Sequence, residues 1–210
     1  VSGTFNMIHP DVEERRSGMS RLRALAGACA ELGTSVITLC SGTRSEQSMW
    51  QAHPGNAQPD AWRDLIAAMK EAADIAAEHG VIVAFEPEVS NVADSARKSR
   101  RLLDEIGSEN LQVVMDGANI FHEGELPRMT EILEEAFDLL GDSVALSHAK
   151  DLDRDGEAGH LAAGTGLLDY DLYLSLLRGL PDEVPLILHG LEEEQVSESV
   201  AFVRTRLGVG

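Results

Sequence analysis

Six short apolar runs recur along the chain, and a segment with helical spacing follows each of them. The runs are "VSGTFNMI" at the start, then "SVITLC" (35–40), "VIVAFE" (81–86), "LQVVMD" (111–116), "SVALSH" (143–148) and "VPLILH" (184–189). Their length and their content of β-branched residues read as strands buried on both faces, the habit of parallel sheets. Between them, "MSRLRALAGACAELG" places Leu22, Leu25, Ala26, Cys29 and Leu32 at helical spacing, and "DAWRDLIAAMKEAADIAAEHG" does the same with Trp62, Leu65, Ile66, Met69, Ala72, Ala73 and Ala76. Helical segments end at Gly33, Gly80, Gly107, Gly141 and Gly179, where left-handed glycine caps are expected. Alternation of this kind predicts right-handed crossovers and a parallel sheet within one domain over residues 1–210. Six βα units fall short of a closed eight-stranded barrel, which typically takes roughly 250 residues. The chain begins in mid-strand, so the expectation is an open sheet or a barrel lacking two N-terminal βα units.

Four runs end in a side chain able to ligate a metal: Glu86, Asp116, His148 and His189. Taken singly, an acid after a strand reads as a helix cap or solvated loop residue, and a histidine as a satisfied core residue. Together they occupy equivalent ends of successive strands, which converge on one mouth if the sheet is part of a barrel. A carboxylate such as Glu86 at the edge of a core is costly without a partner. A divalent cation shared by the four supplies one, and mixed carboxylate and imidazole ligands suit Mn2+, Co2+, Fe2+ or Zn2+, and Mg2+ less well.

The 36 acidic and 17 basic residues give a formal net charge of −19. Such a surface repels nucleic acid and anionic membranes, so the expected partner is a small molecule. No apolar run reaches the length of a membrane span. No basic-then-apolar leader opens the chain, and a cytoplasmic location is expected. The two cysteines, Cys29 and Cys40, read as buried reduced thiols, with a catalytic thiol at Cys40 as the alternative.

The segments "SGTFNMIHPD", "FEPE", "MDGAN", "SHAKD", "GTGLLDY" and "LILHGL" resemble the xylose isomerase-like TIM barrels, a family of sugar (phosphate) isomerases and epimerases. The resemblance covers nearly the whole chain and is most specific at "SHAKD" with its upstream Glu and Asp; "GTGLLDY" alone is weak. It begins at what would be the third strand. The implied fold is therefore an incomplete α/β TIM-type barrel of six parallel strands, three to eight. In that family one metal is held by Glu, Asp, His and Glu from successive strands. Carried over by position, the metal set here is Glu86, Asp116, His148 and His189. Family epimerases use the two glutamates as acid–base partners on opposite faces of the substrate. The histidine at position 189 departs from that pattern, which leaves Glu86 and His189 as the catalytic pair. Glu192, Glu193 and Glu194 lie just downstream, as substitutes for the missing glutamate or as the acidic first turn of the last helix.

Lys150 shares the face of His148 if the strand continues. It reads as a grip on a substrate hydroxyl, carboxylate or phosphate, or as a solvated lysine. Asn119, Arg44, His53 and Trp50 follow strands and are further substrate-binding candidates, Trp50 either as an aromatic wall for a sugar ring or packed on a helix. Glu88 reads as a support for the site or as an exposed residue. The function implied is a metal-dependent isomerase or epimerase of a small sugar, sugar phosphate or hydroxy-carbonyl compound, working through an enediolate. The alternatives are dehydration of a polyol on the same scaffold, or a truncated, non-catalytic barrel whose open sheet edges a homodimer would cover.

Overall fold

Connections long enough to hold a helix permit parallel pairing, and the computed structural model, which describes residues 1–209, shows it. Helix α1 (Val12–Leu32) precedes strand β1 (Val36–Cys40). There follow α2 (Pro59–His79), β2 (Ile82–Glu86), α3 (Ala96–Ile106), β3 (Leu111–Asp116), α4 (Met129–Leu140) and β4 (Val144–Asp151). The short β5 (Leu161–Ala162), α5 (Tyr170–Arg178), β6 (Leu186–Leu188) and α6 (Val196–Leu207) complete the fold. Strands β1, β2, β3, β4 and β6 pair in parallel in that order, and β5 adds antiparallel to the end of β4. The helices cover one face of the sheet and enclose the main core; the other face carries a small cluster of Ala84, Val114 and Leu146. This is part of a barrel wall. Among the described residues no helix is long and apolar enough to cross a membrane.

Two expectations about strands need correction. The opening segment forms only a single parallel bridge to β1, Ser2 with Thr38, so five parallel strands and a bridge stand where six strands were expected. Beyond Thr4 the segment leaves the sheet because Asn6 is drawn to the loop after β1: its Nδ2 donates to Thr43 O (2.9 Å) and its Oδ1 accepts from Thr43 N (2.9 Å). Phe5 then packs on α1 at Gly18, where a Cβ would come within 2.1 Å of the ring. Strand β6 is not buried on both faces. It has three residues, pairs only with β4, and leaves Ile187 45% exposed.

The helix ends follow local chemistry. Asp11, Ser95 and Asp169 cap α1, α3 and α5 through side-chain oxygens that accept from backbone N–H groups. Gly33, Gly80 and Gly107 adopt the left-handed cap, whereas Gly141 and Gly179 are right-handed. At Gly141 the chain goes straight into a 3-10 turn, Gly141–Ser143, so no left-handed residue is needed. Leu32, expected on the buried face of α1, is 56% exposed at its last turn.

One irregularity sets the site. Strands β3 and β4 pair Val113 with Val144, then Val114 with Leu146, so Ala145 is an extra residue. Had the first register continued, Asp116 would lie beside Ser147. The bulge sets it beside His148 instead, since a one-residue slip turns every later side chain to the other face.

The only two tyrosines of the chain lie in α5 and fasten these strands from behind. Tyr170 Oη donates to Lys150 O (2.9 Å), and Tyr173 Oη lies 2.9 Å from both Met115 O and His148 O. Tyr173→Phe should therefore lower stability by about 1–3 kcal/mol, the cost of leaving buried carbonyls without their donor. Urea unfolding would show it as a lower midpoint with an unchanged slope.

Candidate metal centre

Each central residue is placed by its strand. Glu86 ends β2, Asp116 ends β3, His148 lies within β4, and His189 directly follows β6. Adjacent parallel strands in register carry paired side chains on the same face, so these four meet at one rim. One ligand atom from each of Asp116, His148 and His189 falls within 4.8 Å of the others. The rings of His148 and His189 stack, with centroids 4.4 Å apart and planes 4° from parallel. Glu86 joins through His148: its Oε1 lies 3.4 Å from His148 Nδ1, and Asp116 Oδ2 lies 3.6 Å from the same nitrogen. The three-residue set thus closes without Glu86, which stands at its side rather than as a fourth equal member. Asp116 and His148 are buried, and His189 is exposed.

Asp116 carries the observation that best fits a metal. Its Oδ1 accepts from Ala118 N (2.9 Å), but its buried Oδ2 has no hydrogen-bond partner. Lys150 Nζ stands 3.0 Å from Oδ2 as an ion pair, without the alignment of a hydrogen bond. Buried carboxylate oxygens are rarely left this way unless an ion or water completes them. One carboxylate and two imidazoles form a donor set suited to Zn2+ and its neighbours in the series.

The charges reinforce one another. Burial alone would raise the Asp116 carboxyl, but the Lys150 charge and the contacts with His148 outweigh it and hold the group well below its ordinary range. Burial would lower His148, yet its contacts with Asp116 and Glu86 raise it from 6.5 to about 9 in the metal-free protein. His189 is lowered by burial and by the positive charges of His148 and Lys150, so it is neutral at pH 7. Glu88 is buried and raised to about 7, chiefly by burial; its oxygens accept from Ser90 N (2.9 Å) and Asn91 Nδ2 (2.8 Å). It supports the loop after β2 and is not exposed.

The weaker sequence candidates divide. Lys150 is buried in the cluster, as the strand alternation predicted, and is not solvated. Asn119 is buried: its Nδ2 donates to Glu86 Oε1 (2.6 Å) and its Oδ1 accepts from Gly159 N (3.0 Å). It orients the Glu86 carboxylate. The Arg44 guanidinium is engaged by Ile8 O (3.1 Å), Asp60 (3.0 Å) and Asp64 (2.9 Å), because the start of α2 offers two carboxylates within its reach. His53 caps a 3-10 turn by accepting from Gly55 N, and its ring is held there. Trp50 is 51% exposed and lines a cleft of about 390 Å³ with Phe5, Asn6 and His9. Arg44 and His53 line another, of about 570 Å³. Neither cleft is lined by the four central residues. The Cys40 thiol donates to Phe5 O (3.2 Å) and burial pushes it up to about 12, which leaves no thiolate for catalysis.

Asp151 has a structural role that lies outside the sequence candidates. Its carboxylate accepts from four backbone N–H groups, those of Leu152, Gly164, Gly166 and Leu168, at 2.9–3.1 Å. It folds the loop after β4 back on the sheet. Gly166 is required there, since a Cβ would lie 2.3 Å from Leu152 O. The available signal was an aspartate closing a strand, followed by the Gly-Thr-Gly of 164–166.

Residues 1–206 match the family model described as xylose isomerase-like TIM barrel, and the chain belongs to that family. No curated protein sequence matches it. Among solved structures it is similar to a D-tagatose 3-epimerase-like protein (15% identity, 97% of this chain and 73% of that one, TM-score 0.79). It is also similar to an IOLI protein with a binding zinc atom (16% identity, 98% and 73%, TM-score 0.72). A third is the probable 3-DHS dehydratase AsbF of Bacillus anthracis, involved in petrobactin synthesis (13% identity, 96% and 74%, TM-score 0.70). At these identities the likeness is one of fold.

The raised His148 makes stability depend on pH. Its contribution to the metal-free protein is fully present below about 6.5 and is lost as pH rises through about 9. Urea unfolding of wild type and His148→Gln across pH 6–10 should show a difference that shrinks with rising pH, by on the order of 2 kcal/mol. A constant difference would remove the proposed charge on His148.

Proposed function

We propose that this chain is a divalent-metal-dependent isomerase or epimerase of a small sugar, sugar phosphate or hydroxy-carbonyl compound. The observation that carries the reading is the orphaned Asp116 Oδ2, buried among His148, His189 and Glu86 at the rim of a parallel sheet. Similar folds with epimerase-like and zinc-bound descriptions support it. Asp116, His148 and His189 would hold the ion, with Glu86 beside them. A bound divalent ion would supply electrophilic polarisation of a substrate carbonyl and its neighbouring hydroxyl.

The chain's own residues do the rest. Glu86 takes the proton from the hydroxyl-bearing carbon next to the carbonyl, and the electron pair moves onto the carbonyl oxygen to leave an enediolate. Its carboxylate is already aimed, because the amide of Asn119 holds Oε1. His189 is exposed at the rim, so the N–H on the ring nitrogen that does not hold the ion can donate to a substrate oxygen there. Lys150 brings a positive charge to the same space and favours a substrate that develops negative charge.

A second reading, dehydration, is favoured by the asymmetry of the pair. One carboxylate and one imidazole differ in proton affinity, which suits removing a proton at one position and donating one to a departing hydroxyl. A dehydratase also stands among the similar folds. A product lighter by one water in mass spectrometry separates the two.

Glu86→Gln should cut turnover of the active substrate by about 10²–10⁴-fold, the usual weight of a general base. Metal content, measured in parallel, should persist, and wild-type turnover in this variant would end the role of Glu86. Asp116→Ala should lose stoichiometric metal altogether, as read by elemental analysis of the purified protein.

A further inference from the structure

The two oxygens of Asp116 are not equivalent. Oδ1 already accepts from Ala118 N–H at 2.9 Å, which leaves Oδ2 as the oxygen without a hydrogen-bond partner. That same oxygen faces the Lys150 ammonium at 3.0 Å. Both side chains are buried, Asp116 to 1% and Lys150 to 6% exposure, so neither charge is screened by bulk water. The lysine has little freedom to avoid the carboxylate. Its stem lies against Gly190, where a Cβ would come within 2.9 Å of Lys150 Cδ, and Tyr170 pins its carbonyl from behind. Other anions near the ammonium are Glu86 and Glu88; His148 and His189 complete the surroundings.

We infer that Lys150 is an internal competitor of the divalent ion for Asp116 Oδ2, and that it sets the metal affinity of this site. The inference rests on the metal reading above. The ammonium neutralises the buried carboxylate when no ion is bound, so the metal-free chain does not carry an uncompensated charge. An ion that takes Oδ2 must separate this pair and endure the positive charge left nearby. Lys150 is thus a determinant of how tightly, and how reversibly, the ion is held. Its position two residues after His148 places competitor and ligand on one face of one strand.

The test is calorimetric titration of Zn2+ and of Mn2+ at pH 8 into wild type, Lys150→Met and Asp116→Asn. Thermal unfolding of each protein is recorded with and without the ion. Lys150→Met should bind at least tenfold more tightly than wild type. Its metal-free melting temperature should fall, and the ion should raise it by more than it raises wild type. Lys150→Gln, which keeps a donor for Asp116 but no charge, should also tighten binding and stands in if the Met variant does not fold. Equal or weaker affinity in the neutral variants overturns the inference, because lysine would then be indifferent to the ion or would hold Asp116 ready for it. If Asp116→Asn binds as tightly as wild type, or if neither wild type nor the neutral variants bind, the metal reading itself fails and the inference with it.

Discussion

A buried carboxylate with one oxygen left without a hydrogen bond is the constraint on which the site depends. Asp116 gives one oxygen to the turn after β3 and leaves the other facing a lysine and two imidazoles. Removing a carboxylate from water is costly, and here the surrounding charges compensate. Lys150 and His148 both lie against Asp116, and His148 also meets Glu86, all on adjacent strands. Such an arrangement survives only where the backbone fixes it.

The backbone does so in three ways. The extra residue in β4 turns His148, rather than Ser147, toward Asp116. Both tyrosines of α5 bind carbonyls of β3 and β4 from the opposite face, so the core-facing helix and the rim are mechanically linked. Asp151 gathers the Gly-rich loop, and Gly159 of the same excursion donates to the Asn119 that orients Glu86. The loop after β4 therefore acts on the carboxylate of β2 through one amide.

Much of this was legible in the sequence. Apolar runs ending in Glu86, Asp116, His148 and His189 gave both the parallel sheet and the convergence of those ends, because strand direction is implied by the crossovers. Lys150 followed from the period of two. What was not legible depends on tertiary choices. A bulge at Ala145 leaves no mark in an apolar run. The opening segment reads as a strand, yet hydrogen bonds from Asn6 take it out of the sheet after one bridge. Arg44 and His53 sit in loops after a strand, as functional residues do, but neighbouring carboxylates and a backbone N–H occupy them. Asn119 is expected to hold a substrate, and in the structure its amide holds the Glu86 carboxylate. Sequence position located these groups, and only local hydrogen bonding decided their roles.

The central claim is that one divalent ion joins side chains of successive strands. X-ray absorption at the zinc edge, on protein loaded with one equivalent of Zn2+, tests it most directly. The account predicts a first shell of nitrogen and oxygen at about 2.0–2.2 Å, with scattering from two imidazoles that falls to one in His189→Ala. A shell without imidazole, or one unchanged by that substitution, would contradict it.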